Sequence, residues 1–472
     1  MAVWIDSVVL VVVVVGLDSV VAAAAMVVVI ENLKHLKIHL SDIKLATDDF
    51  SDTYKIGVTA YCNLYRATFD FEKTSPIEAM NKGEPLKRHN IVLIKRILSR
   101  DDEQGEGAFF TELDMLTSVK HHNIITLLGI CVEGSEMILV TENVSNRCLG
   151  DHLGNVNDMR ILTWEKRLKI CIDVAHALKY LHSEMEAQKM IINRDIKSDN
   201  IGLDENLRAK IVEFGLSVFL PPNQNGEALH LTNIAGTNYY IDPEYEKSGT
   251  LKRESDVYSF GIVLFEILCG RPAYDPIYHK EGLVSVARQS YHTGTLENII
   301  DHIIMEEIGE SSFIPNKGPN KGSLEIYIEI ANRCVAATQD ERPTMKVVVK
   351  ELEKALFFQT SQEDRVQGPE TDHVVSKLEK TMELQLNEEN NHEDRVQGPE
   401  TDHVVSKLEK TMELQLNEEN NHEEQTQRPN TTQVIAKPNK ALELQSTHGI
   451  LVRPSCFSFH HSLILISCTY PD

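Results

Sequence analysis

The chain has 472 residues and a formal net charge of −24, from 47 basic and 71 acidic side chains. So acidic a chain is not a nonspecific nucleic-acid binder. Hydrophobic residues make up 42%, enough for a substantial buried core, and the length allows two or three ordinary domains.

Residues 8–30 form an almost unbroken apolar run, long enough to cross a bilayer as a helix. Asp18, near its middle, would cost roughly 3 kcal/mol on insertion scales. No basic residue precedes the run, so a secretory signal fits poorly. Lys34 and Lys37 follow it, which favours a cytoplasmic side for what comes next. Residues 1–36 are thus a membrane-anchor candidate; the alternative is an N-terminus derived from noncoding sequence. If the run inserts, the protein sits on the cytoplasmic face of the plasma membrane; otherwise it is cytoplasmic. Residues 37–53 read as a linker, although the pattern turns globular from His39.

Residues 54–66 and 91–97 are rich in β-branched and apolar side chains and read as strands. Pro76, Gly83 and Pro85 mark a polar loop between them. Phe109, Leu113 and Leu116 give residues 106–120 helical spacing. A long amphipathic helix is expected over 164–183, with Leu168, Ile172, Ala175, Leu178 and Leu181 on one face. Residues 256–269 are apolar nearly all round, as in a buried helix. Strands come first and helices later, an α+β arrangement of two unlike halves. Residues 359–472 form an acidic tail. Residues 363–392 recur at 393–422, and Val434–Gln445 is a degenerate third copy. All resemble Val347–Gln359, so they read as amplified copies of the preceding helix. With 19 acidic and 9 basic residues over 360–445, the tail is expected to be mostly disordered. The eight cysteines (Cys62, Cys131, Cys148, Cys171, Cys269, Cys334, Cys456 and Cys468) form no CxxC pair, which favours reduced thiols over a disulfide scaffold or zinc site.

The chemistry concentrates in Asn193-Arg194-Asp195-Ile196-Lys197-Ser198-Asp199-Asn200. Asp195 can accept the proton of a substrate hydroxyl, and Asn200, five residues on, can hold a metal ion. Lys197 can neutralise charge on a phosphoryl group in transit. This run resembles the HRDxxxxN catalytic loop of protein kinases, and its lysine resembles the serine/threonine branch. Lys95, in Ile91-Val92-Leu93-Ile94-Lys95, is similar to the VAIK lysine. Glu112 follows 17 residues later, like the glutamate that pairs with it. Glu213-Phe214-Gly215 stands where the family has Asp-Phe-Gly, and Asp242-Pro243-Glu244 where it has Ala-Pro-Glu. The resemblance covers about 300 residues. It implies a bilobal kinase fold with a β-rich N-lobe over 54–143 and a helical C-lobe over 144–358. It also implies that Asp256 braces the catalytic loop and that Glu244 pairs with Arg342. Residues 39–47, Ala235-Gly236-Thr237 and Tyr258-Ser259-Phe260-Gly261 resemble plant receptor-like kinases, the malectin-like group above all. That group's extracellular domain is not seen here, so ligand sensing of that kind is not expected.

By the same resemblance the cofactors are ATP and Mg2+ (or Mn2+), the metal being held by Asn200 and Glu213. Gly57 and Lys95 would lie at the phosphates. Thr141 would be the gatekeeper, and the carbonyl of Glu142 and amide of Val144 would bind adenine. Three departures bear on activity. The GxGxxG loop becomes Gly57-Val58-Thr59-Ala60-Tyr61-Cys62, so its backbone should approach phosphates less closely. Glu213 replaces an aspartate and moves its carboxylate by about 1.5 Å. Asn193 replaces a histidine of structural role. Two readings follow. One is an active serine/threonine kinase of reduced rate, acting on a protein substrate, with Thr232 and Thr237 as candidate phosphorylation sites. The other is a pseudokinase that binds nucleotide and scaffolds or regulates a partner kinase. A degenerating duplicate is a third.

Overall fold

The computed structural model describes residues 33–59, 61–69, 90–97, 104–185, 189–220, 228–278, 282–306 and 318–361. The apolar run at 8–30, the loop around Pro76 and the acidic repeats lie outside the described residues. Among the described residues, no helix is long and apolar enough to cross a membrane.

Period-two burial along the strand over Asn90–Ile97 organises the first half. Val92 and Ile94 are fully buried on one face, while Leu93 and Lys95 share the other. In chain order this half comprises α1 (Leu40–Ala46), β1 (Lys55–Val58), β2 (Cys62–Phe69), β3 (Asn90–Ile97), α2 (Gln104–Ser118), β4 (Leu127–Glu133) and β5 (Glu136–Glu142). The strands form one antiparallel sheet in the order β1-β2-β3-β5-β4. The stretch read as one strand over 54–66 is therefore a hairpin, broken at the glycine-poor loop. One sheet face packs against Ile38, Ile43 and Phe50, and the other against Phe109 and Leu113 of α2. Residues 37–53, read as a linker, thus supply core to this half.

The second half is mainly helical. It contains α3 (Val156–Ile161), α4 (Trp164–Lys179), the short strands β6 (Met190–Ile192), β7 (Ile201–Leu203), β8 (Ala209–Ile211), β9 (Val218–Leu220) and β10 (Ala228–His230), α5 (Pro243–Ser248), β11 (Thr250–Lys252), α6 (Arg253–Cys269), α7 (Gly282–Thr293), α8 (His302–Met305), α9 (Lys321–Cys334) and α10 (Met345–Thr360). The α+β, two-lobe arrangement implied by the resemblance is present. Helix α6 is buried on all sides, as its composition requires. Helix α4 buries Leu168, Ala175 and Leu178, with Ile172 half-buried, and passes at Tyr180–Glu184 into a π-turn that buries Leu181.

One expected pairing is corrected. Arg342 bonds to Asp242 at 2.7 Å, with both side chains fully buried, and not to Glu244. Glu244 instead accepts the amide of Gln339 at 2.6 Å. Asp242 caps α5 by accepting the amide of Glu244, and takes further bonds from Ser255 and Gln339. Burial works against its charge, but the Arg342 guanidinium outweighs burial and holds its carboxyl below the ordinary range. Removing one member of a fully buried pair leaves the other charge uncompensated. Asp242→Ala should therefore cost about 3–5 kcal/mol of stability. Glu244→Ala should cost about 1 kcal/mol. Urea denaturation of the two variants checks this ranking.

Candidate active site

Strand β6 delivers the chain into the loop at 193–200, whose backbone hangs on one buried carboxylate. Asp256, in the first turn of α6, accepts the amides of Asn193 at 2.8 Å and Arg194 at 2.9 Å, and His182 Nε2 at 2.9 Å. Asp256 thus braces the loop as implied. Arg194 has φ +69°, a conformation unfavourable for a bulky residue, and these bonds hold it there. Asn193 is buried and works in both directions. Its Oδ1 accepts the Asp195 amide at 3.1 Å, and its Nδ2 donates to the Glu213 carbonyl at 2.8 Å. The asparagine thereby ties the loop to the Glu213-Phe214-Gly215 segment, which position alone does not reveal.

Asp195 is the centre of a polar cluster. Asn200 Nδ2 donates to its Oδ2 at 2.8 Å, and Lys197 Nζ lies 3.1 Å from the same oxygen. Thr237 donates its hydroxyl to Asp195 Oδ1 at 2.5 Å and accepts from Lys197 Nζ at 2.8 Å. A hydroxyl that gives its proton to Asp195 while a lysine sits on its oxygen is the arrangement a phosphoryl acceptor needs. The sequence alone marks Thr237 only as a phosphorylation candidate. A phosphate there would set a dianion against Asp195. Thr232 is exposed, and Arg194 bonds to the carbonyl of its neighbour Asn233 at 3.3 Å.

The second cluster joins three elements. Lys95 of β3 donates to Glu112 of α2 and, at 2.7 Å, to Glu213 Oε2. Burial disfavours the Lys95 charge, but the two carboxylates outweigh it and raise its pKa well above the ordinary lysine value. Burial, then repulsion from Glu213, pushes Glu112 up to about 7 against the pull of Lys95. The other oxygen of Glu213 accepts the Gly215 amide at 3.0 Å. Both residues expected to hold metal are therefore bonded within the protein, Glu213 to Lys95 and Asn200 to Asp195. Among the described residues, no three His, Cys, Asp or Glu side chains converge on a metal position. A carboxylate and an amide oxygen, completed by phosphate and water, still suit a hard cation such as magnesium.

The segment that the resemblance implies as the hinge starts at the end of β5. Thr141 is buried and stands opposite Leu93 in register. The Glu142 side chain is engaged by Lys210 at 3.0 Å and the Thr126 amide at 2.8 Å, while its own amide donates to the Thr126 carbonyl at 3.0 Å and its carbonyl accepts the Thr141 hydroxyl at 3.3 Å. Val144 is buried against Gly202, where an added Cβ would lie 2.5 Å from Val144 Cγ1 and 2.8 Å from Val212 Cγ1. Glycine lets the hinge close onto β7 here. Leu93, Gly202 and Val212 were not singled out from the sequence. For Leu93 the signal was present, since two residues before Lys95 on a strand means the same face.

The glycine-poor loop is filled from within. Thr59 Oγ1 accepts the amides of Cys62 at 3.1 Å and Tyr61 at 3.4 Å, and contacts the Cys62 thiol at 3.0 Å. Burial pushes that thiol up to about 11, so it remains protonated. Gly57, expected at the phosphates, lies in β1 opposite Leu64. Amides satisfied by a neighbouring hydroxyl are less available to an anionic ligand. Thr59→Val keeps the shape and removes the acceptor. Releasing the two amides, at about 1 kcal/mol for a net hydrogen bond, should tighten ATP binding by roughly 3–10-fold and leave adenosine binding unchanged. Paired calorimetric titrations with the two ligands measure this.

A model of the protein kinase domain matches residues 80–358. Three similar proteins come from Arabidopsis thaliana. The probable receptor-like protein kinase At2g39360 is 36% identical over 327 residues, which make up 69% of this chain and 36% of that protein. Receptor-like protein kinase ANXUR2 is 38% identical over 323 residues, 68% of this chain and 34% of its own length. Receptor-like protein kinase FERONIA is 35% identical over 334 residues, 70% and 33% respectively. The chain spans about a third of the length of these relatives. With the two-lobe fold and the Lys95–Glu112 pair already in place, the chain belongs to the protein kinase family, and its kinase region is similar to those of plant receptor-like protein kinases.

Proposed function

We propose that this protein is an ATP-dependent serine/threonine kinase of receptor-like type that works at a reduced rate. The observation that carries this reading is the Asp195 cluster, in which a threonine hydroxyl is already held between Asp195 and Lys197. Bound ATP, with magnesium or manganese, supplies the phosphoryl group. Asp195 accepts the proton of a serine or threonine hydroxyl on a protein substrate, and Lys197 balances the charge that develops beside it. Lys95, fixed by Glu112, orients the phosphates. The backbone of Glu142 and Val144 holds the base beneath Thr141. Asn200 and Glu213 hold the metal ion, and Glu213 must turn from Lys95 to do so.

The same geometry supports the reading of a reduced rate. The Glu213 carboxylate starts engaged with Lys95 and the Gly215 amide, and it stands on a side chain one methylene longer than aspartate. Positioning errors of about 1 Å can cost roughly 100-fold in rate. This engagement is also what favours the second reading, a pseudokinase that binds nucleotide and regulates a partner kinase. In either case the domain works on the cytoplasmic face of the plasma membrane if residues 8–30 insert, and in the cytoplasm if they do not.

Phosphotransfer by the full chain, with magnesium or manganese, separates the readings. Incorporation by wild type that is lost in Lys95→Met and on chelation of the metal supports the enzyme, and Glu213→Asp should then raise the rate by up to about 100-fold. Silence in wild type with activity in Glu213→Asp supports the pseudokinase. Silence in both removes phosphotransfer as the function.

A further inference from the structure

The residues just ahead of α1 lie outside the matched kinase span, yet they are built into the smaller half. The Ile38 amide donates to the Ile130 carbonyl at 2.8 Å, and Lys37 bridges Ile130 in parallel fashion, so the segment extends the sheet beyond its edge strand β4. Gly129 leaves a notch for it: a Cβ there would lie 2.2 Å from Ile38 Cδ1. Glu133 closes the seam, accepting the Leu40 amide at 3.2 Å and facing Lys37 Nζ at 3.4 Å and His39 Nδ1 at 3.2 Å. Such a set of complementary features is more than a chain passing over a surface.

Leu36 enters the apolar cluster on the α2 side of the sheet and is 7% exposed. That cluster also contains Phe109 and Leu113, which flank Glu112 along α2, and Cys62 at the end of the glycine-poor loop. Glu112 can meet Lys95 only while α2 is seated on the sheet. Ile43, from the same N-terminal stretch, is fully buried on the opposite face. The two faces of the sheet therefore separate general stabilisation from support of α2.

We infer that residues 33–39 form a brace for α2 and that Leu36 is a positioning residue, holding Glu112 against Lys95 and so supporting phosphate binding. The second half of this inference rests on the nucleotide reading of the cleft. The first half does not. Because the brace directly follows residues 8–30, whatever displaces it from β4 would release Glu112 and switch the cleft off.

The test compares Leu36→Ala, Leu36→Met and Ile43→Ala in the full chain. Amide hydrogen exchange over Gln104–Ser118 should speed up by at least about tenfold in Leu36→Ala, stay near wild type in Leu36→Met, and be unaffected in Ile43→Ala, whose loss falls on α1. Unchanged exchange of α2 in Leu36→Ala, or equal acceleration in Ile43→Ala, overturns the brace. Titrations of ATP and adenosine then test the consequence. Leu36→Ala should weaken ATP about tenfold and spare adenosine. An unchanged ratio of the two affinities overturns the positioning role. If α2 loosens as expected while wild type binds neither ligand, the brace stands and the nucleotide reading falls.

Discussion

A single buried ammonium between two carboxylates decides what the rest of this molecule can do. Lys95, Glu112 and Glu213 come from a strand, a helix and the segment after β8, and each is almost withdrawn from water. Burial, and after it the second carboxylate of Glu213, pushes Glu112 up to about 7 against the pull of Lys95. A metal ion drawing Glu213 away would leave the Lys95–Glu112 pair balanced, with Lys95 free to face phosphate. At low effective dielectric such exchanges are worth several kcal/mol, so the cluster responds strongly to what enters the cleft.

The departures from the family pattern are unevenly distributed. The Asp195 cluster, the Asp256 brace and the backbone of the hinge are intact. Asn193 departs from the pattern within the braced loop but keeps it bonded, and the other changes, at Thr59, Cys62 and Glu213, fall where the resemblance implies phosphate and metal contacts. Thr59 fills its own loop with a hydroxyl, and Glu213 fills its own site with Lys95 and a backbone amide. Both side chains make internal contacts where the resemblance implies ligand contacts. On the function proposed above, this pattern would slow phosphoryl transfer and weaken phosphate contacts while sparing the base side of the cleft.

Much of this was legible in the sequence, and the exceptions share a physical cause. Asp195, Lys197 and Asn200 sit on one short loop, so spacing alone brings them together. Lys95 and Glu112 were legible through their resemblance to the kinase strand lysine and the helix glutamate that pairs with it. By contrast, Asp242 and Glu244 are two carboxylates two residues apart. Only the cap of α5 decides that Asp242 turns inward to Arg342. Thr59 and Thr237 were missed as acceptors and donors because a hydroxyl's partner depends on a tertiary neighbour rather than on a pattern. Residues 37–53 look like a linker because their apolar positions are few, yet Ile38 and Ile43 are fully buried beneath the sheet. The helix expected to 183 becomes a π-turn after Lys179, a local widening that no periodicity announces.

The most direct measurement is a calorimetric titration of the full chain with ATP, in magnesium and again in excess chelator. One nucleotide per chain is expected in both conditions, bound more tightly with magnesium as Glu213 gives up Lys95 for the metal. Absence of binding in either condition would contradict the assignment of the cleft as a nucleotide site. Equal affinity in both would contradict the role given to Glu213.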